Sequence, residues 1–237
     1  MNQVSNSRGT PGGCPAGNQW WKFLERVLII TAVPIEREAV LRGLRGDKRF
    51  DVLAAGVGPV AAAVRTAKVM ADNEYGLVIS AGIGGGFAGR AELGELVVAS
   101  EIIAADLGVE TSEGFSSIDE LGFGPTNIKT DAGLVLVVTE ALLKAGLPVK
   151  TGPVLTVSTV TGTAESAAKL AARVPGATAE AMEGYGVALA ALASGVPVLE
   201  LRTISNPVGP RDRAAWRVEE ALDILETANS VLLEVLR

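Results

Sequence analysis

Carboxylates are the side chains of this chain best suited to moving protons. The 237 residues include 27 Asp and Glu but no His and a single Cys. Without His, the chain has no Ser-His-Asp triad, Cys-His dyad or His-ligated metal site. One Cys forms no intramolecular disulfide and no CxxC motif. Proton chemistry must therefore rest mainly on Asp and Glu.

Two glutamates occupy positions that favour a functional role. Glu36 follows the apolar run 27–33 by three residues, which places it near the carboxyl end of a predicted strand. Glu183 stands between apolar segments, where a charge is usually paired or functional. Each also has an ordinary interpretation. Glu36 would then be a solvated first-turn glutamate favoured by the helix dipole, as we expect for Glu38, and the neighbours of Glu183 would simply be core.

Strands alternate with helices along the chain. Apolar runs of strand length predict strands at 27–33, 50–55, 77–81, 96–105, 154–158, 177–181 and 196–201. Helical patterns predict helices at 36–44, 60–71, 132–145, 164–172, 184–193 and 214–236. Because the Val, Ile and Leu runs do not alternate with polar residues, we expect an α/β fold with one domain and a mostly parallel central sheet, covered by helices on both faces.

The predicted domain runs from 27 to 237, with a polar, glycine-rich loop over 110–127. Residues 1–26 are predicted to form a disordered extension that carries Cys14. Within it, residues 1–18 have too little apolar content to offset their ordering entropy, so we expect their deletion to leave stability and activity nearly unchanged.

Two glycine-rich segments follow predicted strands. Residues 56–61 match the GxGxxG/A dinucleotide fingerprint, but the next strand ends without the acidic residue that would bind a ribose hydroxyl. We therefore favour a tight strand-to-helix turn there. Residues 82–86 lack the GKS/T of a P-loop. Their glycines still allow a ligand to approach the backbone, at the end of a strand, where open α/β sheets bind ligands.

Charge and hydropathy exclude other classes of protein. The net charge is -6 and the isoelectric point about 4.9, which argues against a nucleic-acid-binding surface. No apolar run reaches the roughly 18 residues of a membrane-spanning helix without a charge or Gly. Residues 1–18 lack the apolar region of a secretory signal. We expect a cytoplasmic protein.

Five segments, in this order, resemble motifs of the purine nucleoside phosphorylase and nucleosidase superfamily. In this chain the segments are AVPIE (32–36), AGVGP (55–59), GIGGG (82–86), AME (181–183) and RTISN (202–206). In the 5′-methylthioadenosine/S-adenosylhomocysteine nucleosidases, the corresponding motifs are, in the same order, A-M-x-x-E, T/S-G-x-G-K, G-S-A-G-G, E-M-E and R-x-I-S-D. Each piece is weak alone, but five in register make a specific resemblance.

At three positions this chain differs from those nucleosidase motifs, and the differences indicate one family within the superfamily. Ile83 stands in place of the Ser, Ala181 in place of the first Glu, and Asn206 in place of the final Asp. With the segments 105–109 and 206–209, these features are similar to the futalosine hydrolase family. The resemblance implies hydrolysis of futalosine to hypoxanthine and dehypoxanthine futalosine in menaquinone biosynthesis. It also implies no metal or organic cofactor and a homodimer or larger oligomer.

The resemblance implies roles for individual residues. Glu36 would be the general base for water, Glu183 would accept hydrogen bonds from the ribose hydroxyls, and Asn206 would meet the N7/O6 edge of the purine. On spacing alone, however, Asn206 before Pro207 is typical of a turn. The further substrate-binding residues would be Ile83, Gly84, Thr159, Val160 and Met182.

Two further residues are candidates for substrate contact. Phe123, in the predicted long loop, would cover the substrate, although a loop Phe is equally compatible with a core anchor. Asp106 would contact the polar substrate. Both assignments depend on position alone.

Other functions of the same fold remain as alternatives. A nucleosidase for methylthioadenosine or S-adenosylhomocysteine would share these motifs. A phosphorylase would need a cationic phosphate site, and the chain has Ser80 where related hexameric phosphorylases carry Arg. A non-catalytic module would bind a purine without releasing a base. A metal-dependent nucleoside hydrolase is disfavoured because no Asp-rich cluster lies near the first predicted strand.

Overall fold

The structure is a computed structural model, and it describes residues 20–236. The strands are β1 (Val27–Thr31), β2 (Phe50–Ala54), β3 (Leu77–Gly86), β4 (Leu96–Ala104), β5 (Gly108–Thr111), β6 (Gly114–Ser117), β7 (Asn127–Lys129), β8 (Val149–Thr156), β9 (Ala179–Ala181) and β10 (Val198–Pro207). The α-helices are α1 (Pro34–Leu44), α2 (Pro59–Asp72), α3 (Ala132–Lys144), α4 (Ala164–Arg173), α5 (Gly184–Ala193) and α6 (Val218–Val235). Short 3₁₀ helices occupy Trp20–Phe23 and Arg213–Ala215.

The central sheet is mixed. Within residues 20–236, β1 pairs in parallel with β2 and β3, and the pairs β3–β10, β4–β8 and β8–β9 are also parallel. The pairs β4–β10, β3–β9 and β4–β7 are antiparallel. Strands β3, β9, β8, β4 and β10 close into a ring that β1 and β2 extend. The sheet is therefore mixed, with more parallel than antiparallel pairs among these, and the antiparallel pairs were not predicted because apolar runs do not report pairing direction.

Strand β1 shows why its sequence is a continuous apolar run. All five of its residues are buried, and consecutive side chains point to opposite sides of a strand. Val27 and Ile29 belong to an apolar cluster with residues of α1, α3 and α6. Leu28 and Ile30 belong to a second cluster with residues of α2 and α5. A strand buried on both sides has no position for an outward polar residue.

Two strands run further than their sequences predict. β3 continues through the glycine-rich segment 82–86, and β10 continues through Asn206 and Pro207. The two strands pair along this extension, up to Pro207 beside Gly86, with an irregularity at Ser205. The glycine-rich segment is therefore a strand and Asn206 is not in a turn. Pairing with a neighbouring strand overrides the low strand preference of Gly and Pro.

The predicted long loop contains regular structure. β5 and β6 form a two-stranded antiparallel hairpin over residues 108–117, which overlaps the predicted loop 110–127. β7 begins at the last residue of that loop, Asn127. Among residues 20–236, no helix is both long and apolar enough to cross a membrane.

The packed domain begins before residue 27. Trp21 is 8% exposed and Leu24 is also buried, and both belong to the cluster that contains the apolar residues of α3 and α6. Residues 20–26, predicted as part of a disordered extension, thus contribute to the core. The rest of that prediction, including Cys14, falls on residues 1–19 and lies outside the described part of the chain.

We expect Trp21→Ala to lower the free energy of unfolding by about 3 kcal/mol, because truncating a buried Trp loses its transfer free energy and leaves a cavity. Urea denaturation measures this change. Trp20→Ala is the matched control, since Trp20 is only half-buried, and its loss should be smaller. Wild-type stability in Trp21→Ala would show that the segment 20–26 does not support the core.

Candidate active site

A buried arginine lies at the centre of the polar residues between β3 and β10. Arg202 on β10 is fully buried. Its Nε donates to Oε1 of Glu200 at 2.9 Å, and its Nη2 donates to Oγ of Ser80 at 2.8 Å. Its Nη1 lies 3.5 Å from Oε2 of Glu183. A guanidinium removed from water needs such partners, because an unpaired buried charge is strongly destabilising.

Glu36 is fixed by three backbone N–H groups. Its Oε2 accepts from Ala32 at 2.9 Å and Val33 at 3.2 Å, and its Oε1 accepts from Ile83 at 2.9 Å. Glu36 is the third residue of α1, and its return to the N–H of the cap residue Val33 is one half of a capping box. Glu36 is only 3% exposed. It is therefore not the solvated first-turn glutamate of the ordinary interpretation.

A glycine lets Glu36 and Arg202 approach the same point. A Cβ on Gly82 would lie 2.5 Å from Oε1 of Glu36 and 2.8 Å from Nη1 of Arg202. Burial raises the pKa of Glu36, and the charge of Arg202 and the three backbone N–H groups oppose this rise. A carboxylate with a raised pKa is a better general base near neutral pH than an ordinary glutamate.

Glu183 connects three parts of the chain. It occupies the residue before α5 and is buried. Its Oε1 accepts from the N–H of Gly58 at 3.1 Å, and its Oε2 accepts from the N–H of Met182 at 3.3 Å. The turn that resembled a dinucleotide motif therefore serves to hold this carboxylate beside Arg202.

Glu200 is the most deeply buried carboxylate of this group. Its Oε2 has no hydrogen-bond partner within residues 20–236. A Cβ on Gly184 would lie 2.2 Å from that oxygen, so only glycine leaves room for it. Burial raises the pKa of Glu200, the charge and hydrogen bond of Arg202 lower it, and the charge of Glu183 raises it further.

A second pair of carboxylates holds the segment that follows β8. Glu180, on β9, is buried and accepts hydrogen bonds from the N–H of Thr161 at 2.9 Å and from the Thr161 hydroxyl. Asp106 accepts from the N–H of Ser158 at 2.6 Å. Burial raises the pKa of Glu180, the Thr161 hydrogen bonds oppose this, and the charge of Asp106 adds to the rise.

The structure brings most of the predicted site residues together. Four of them lie beside Arg202 or bind a residue that does. Glu36 accepts from the N–H of Ile83, and Glu183, which lies beside Arg202, accepts from the N–H of Met182. Gly84 is the next residue along β3, and its carbonyl oxygen lies 3.3 Å from Oγ of Ser205.

Asn206 lies one strand away from that glycine-rich segment. It pairs with Gly85 across β3 and β10. Its Nδ2 donates to the carbonyl of Pro207 at 3.0 Å, and its Oδ1 accepts from the Ser205 hydroxyl at 2.9 Å. Among the described residues, one amide proton and one lone pair of Oδ1 remain for another partner.

The remaining predicted residues lie on loops. Thr159 and Val160 lie between the residues bound by Asp106 and Glu180. Phe123 lies between β6 and β7 with its side chain 79% exposed. Within residues 20–236, no hydrogen bond or ring contact joins the Phe123 side chain to the other predicted residues. This exposure excludes a core anchor, and the role of Phe123 in covering the substrate stays a prediction.

Several polar residues of the site were not assigned a role from the sequence. They are Ser80, Thr161, Glu180, Glu200 and Arg202. Arg202 stood in a recognised motif without a role. Glu180 and Glu200 each interrupt an apolar strand, and a charge in such a run is the signal that would have found them.

The match to known families extends over most of the chain. A family model described as the Phosphorylase superfamily matches residues 28–237. The chain belongs to the phosphorylase superfamily. This confirms the resemblance predicted from the five motifs.

Two curated relatives within the superfamily carry the same name. A futalosine hydrolase of Streptomyces coelicolor is 51% identical over 230 residues, which cover 89% of this chain and 96% of that protein. A futalosine hydrolase of Acidothermus cellulolyticus is 46% identical over 218 residues, which cover 86% of this chain and 89% of that protein.

A solved structure shares the fold of this phosphorylase-superfamily chain. It is the 5′-methylthioadenosine/S-adenosylhomocysteine nucleosidase of Neisseria meningitidis in complex with methylthio-immucillin-A, with a TM-score of 0.77 and 21% identity. The match covers 90% of this chain and 98% of that chain. It confirms the predicted α/β fold with a single domain.

The buried carboxylates predict how stability depends on pH. Because burial raises the pKa of Glu200, the folded protein keeps a proton that the unfolded chain has already released. The free energy of unfolding should therefore fall as the pH rises from the pKa of an unfolded glutamate to that of folded Glu200. The slope for one proton is at most about 1.4 kcal/mol per pH unit.

Glu200→Gln keeps an oxygen acceptor for Arg202 and should reduce that slope. Urea denaturation at several pH values between about 5 and 8 measures it. Glu38→Gln, on the exposed side of α1, controls for the loss of one carboxylate. A wild-type slope in Glu200→Gln would contradict the prediction.

Proposed function

We propose that this chain hydrolyses the N-glycosidic bond of futalosine, releasing hypoxanthine and dehypoxanthine futalosine, in menaquinone biosynthesis. The observation that carries the proposal is the 51% identity to the Streptomyces coelicolor futalosine hydrolase over nearly the full length of both chains. The buried group around Arg202 supports it, because it supplies the carboxylates that such a reaction needs. As in the sequence-based expectation, the reaction is assigned to the cytoplasm.

In this proposal Glu36 is the general base. Water adds to the anomeric carbon while the bond from that carbon to the purine nitrogen breaks, and Glu36 takes a proton from the water. Fixed hydrogen bonds from Ala32, Val33 and Ile83 hold the carboxylate in one orientation. Proton transfer of this kind contributes typically about 10²–10⁴-fold to the rate.

Glu183 binds the ribose hydroxyls. An ionised carboxylate has about four acceptor sites, and the N–H groups of Gly58 and Met182 occupy two of them. Hydrogen bonds to a charged acceptor are stronger than those to a neutral one. They hold the sugar while positive charge develops on its ring in the transition state.

The purine lies against the backbone of Thr159, Val160 and Met182. Ile83 and Gly84 lie beneath the sugar. Asn206 forms hydrogen bonds with the N7/O6 edge of the purine. The Asn206 amide donates to O6 or N7, and its oxygen accepts from a protonated N7 as the base leaves. An amide does not supply the proton itself, so the leaving purine takes it from solvent. Asp106 contacts the polar substrate.

We also propose a homodimer or a larger oligomer. Three valines along α2 and the turn before it expose more than half of their side chains: Val57, Val60 and Val64. Adjacent exposed apolar side chains are typical of a surface that a partner covers. The turn that holds Glu183 lies beside them, and the mass of the full chain in solution tests the assembly.

A nucleosidase for methylthioadenosine or S-adenosylhomocysteine is the second candidate, favoured by 30% identity over 167 residues to the nucleosidase of that name from Actinobacillus succinogenes. Its substrates carry a 6-amino purine, whereas hypoxanthine is a 6-oxo purine. The two functions therefore differ in which base is released.

The purified chain should release hypoxanthine from futalosine at the same rate with and without phosphate, as measured by chromatography. Glu36→Gln should keep substrate binding but lose at least about 100-fold in kcat, because its amide takes no proton from water. Glu38→Gln is the matched control and should turn over normally. No base release by the wild type would reject the function, and release that requires phosphate would indicate a phosphorylase.

Asn206→Asp should shift the ratio of kcat/KM towards a 6-amino substrate. A carboxylate facing O6 would place two acceptors opposite each other, at a cost of about 1–3 kcal/mol. The N6 donor of a 6-amino purine suits a carboxylate instead. Kinetics of both proteins with futalosine and its 6-amino analogue give the ratio. An unchanged ratio would mean that Asn206 only shapes β10.

A further inference from the structure

The segment after β8 is held at both ends by carboxylates, the exposed Asp106 at one end and the buried Glu180 at the other. Asp106 binds the N–H of Ser158, and Glu180 binds both the N–H and the hydroxyl of Thr161. Within residues 20–236, no hydrogen bond involves the backbone N–H or carbonyl of Thr159 or Val160. The two residues between the anchors therefore keep their backbone donors and acceptors for another molecule.

Glu180 itself is not placed to touch a substrate. Its side chain is buried, and each of its two oxygens accepts a hydrogen bond from Thr161. Its backbone pairs with Gly85 on one side and with Leu155 on the other, which fixes β9 between β3 and β8. Because Glu180 lies on a paired strand, its carboxylate holds Thr161, in the loop after β8, in a fixed position relative to the sheet.

Glu180 also does not replace the first Glu of the E-M-E motif, where this chain has Ala181. Adjacent residues of a strand point to opposite sides, so the side chains of positions 180 and 181 leave β9 in opposite directions. A shift of the glutamate by one residue changes its surroundings and therefore its role.

We propose that Glu180 and Thr161 form a clamp that holds the backbone of Thr159 and Val160 as a preformed surface for the purine base. The proposal rests on the proposed function, which places the base there. Glu180 is in this view a positioning residue. Without the clamp the segment adopts other conformations, and the apparent affinity falls in proportion to the fraction of chains in the binding conformation.

The test compares variants that keep or lose one side of the clamp. Thr161→Val removes the hydroxyl and keeps the size of the side chain, while Thr161→Ser keeps both donors. Glu180→Gln removes the charge from the other partner. Thr163→Val is the matched control, because Thr163 is exposed and caps α4 without touching Glu180.

The readouts are the dissociation constant of hypoxanthine, measured by calorimetry, and KM and kcat for futalosine. We expect Thr161→Val and Glu180→Gln to raise the dissociation constant and KM by about five- to tenfold, with kcat within twofold. Thr161→Ser should restore the wild-type values. Thr163→Val should lower the melting temperature and leave the dissociation constant unchanged, which separates base binding from stability.

The two proposals fail in different ways. If futalosine is hydrolysed but Thr161→Val and Glu180→Gln bind hypoxanthine as the wild type does, the clamp is wrong and the function stands. If futalosine is not hydrolysed but the wild type binds the base and both variants bind it more weakly, the clamp stands and the function is wrong. A loss of kcat with unchanged KM would also overturn the clamp.

Discussion

The buried guanidinium of Arg202 is the interaction on which the site depends. This buried positive charge interacts with Glu200, Glu183 and Glu36. Glu200 lies on β10, Glu183 directly before α5, and Glu36 in the first turn of α1. Removing Arg202 would leave these buried carboxylates without their cation, a change that is strongly destabilising. The cluster therefore ties the separate elements to one another as well as to the chemistry.

This charge also constrains the residues that line it. Gly82 and Gly184 lie where a Cβ would collide with Glu36, Arg202 or Glu200. Ser80, two residues before Gly82, points to the same side of β3 and accepts from Arg202. Gly82 of β3 is thus required by the packing of charged side chains against it, whereas Gly84 and Gly86 leave room for the backbone carbonyls of Glu180 and Ala91. These contacts explain the glycines at 82, 84 and 86 without a phosphate-binding loop.

The sequence reveals the elements better than their pairing. Apolar runs located β1 and β3, because burial on both sides leaves a continuous signal. The end of β3 at Gly86 and of β10 at Pro207 was missed, since Gly, Asn and Pro predict turns and only the neighbouring strand overrides them. Motif resemblance located Glu36 and Glu183, but the partners of Glu180 depend on the contact between β9 and the loop after β8, which no local pattern encodes.

The charge balance of the cluster bears on the choice of nucleophile. Arg202 is enclosed by Glu200, Glu183 and Ser80, so its charge is not available to an incoming anion. In the proposed reaction a phosphate would meet the carboxylates of Glu183 and Glu36, whereas water is neutral and would donate a hydrogen bond to Glu36. In that proposal the carboxylates beside the sugar would also favour the positive charge that develops on it, and such electrostatic stabilisation accelerates a reaction. A site in which the buried Arg202 is already paired therefore supports hydrolysis over phosphorolysis.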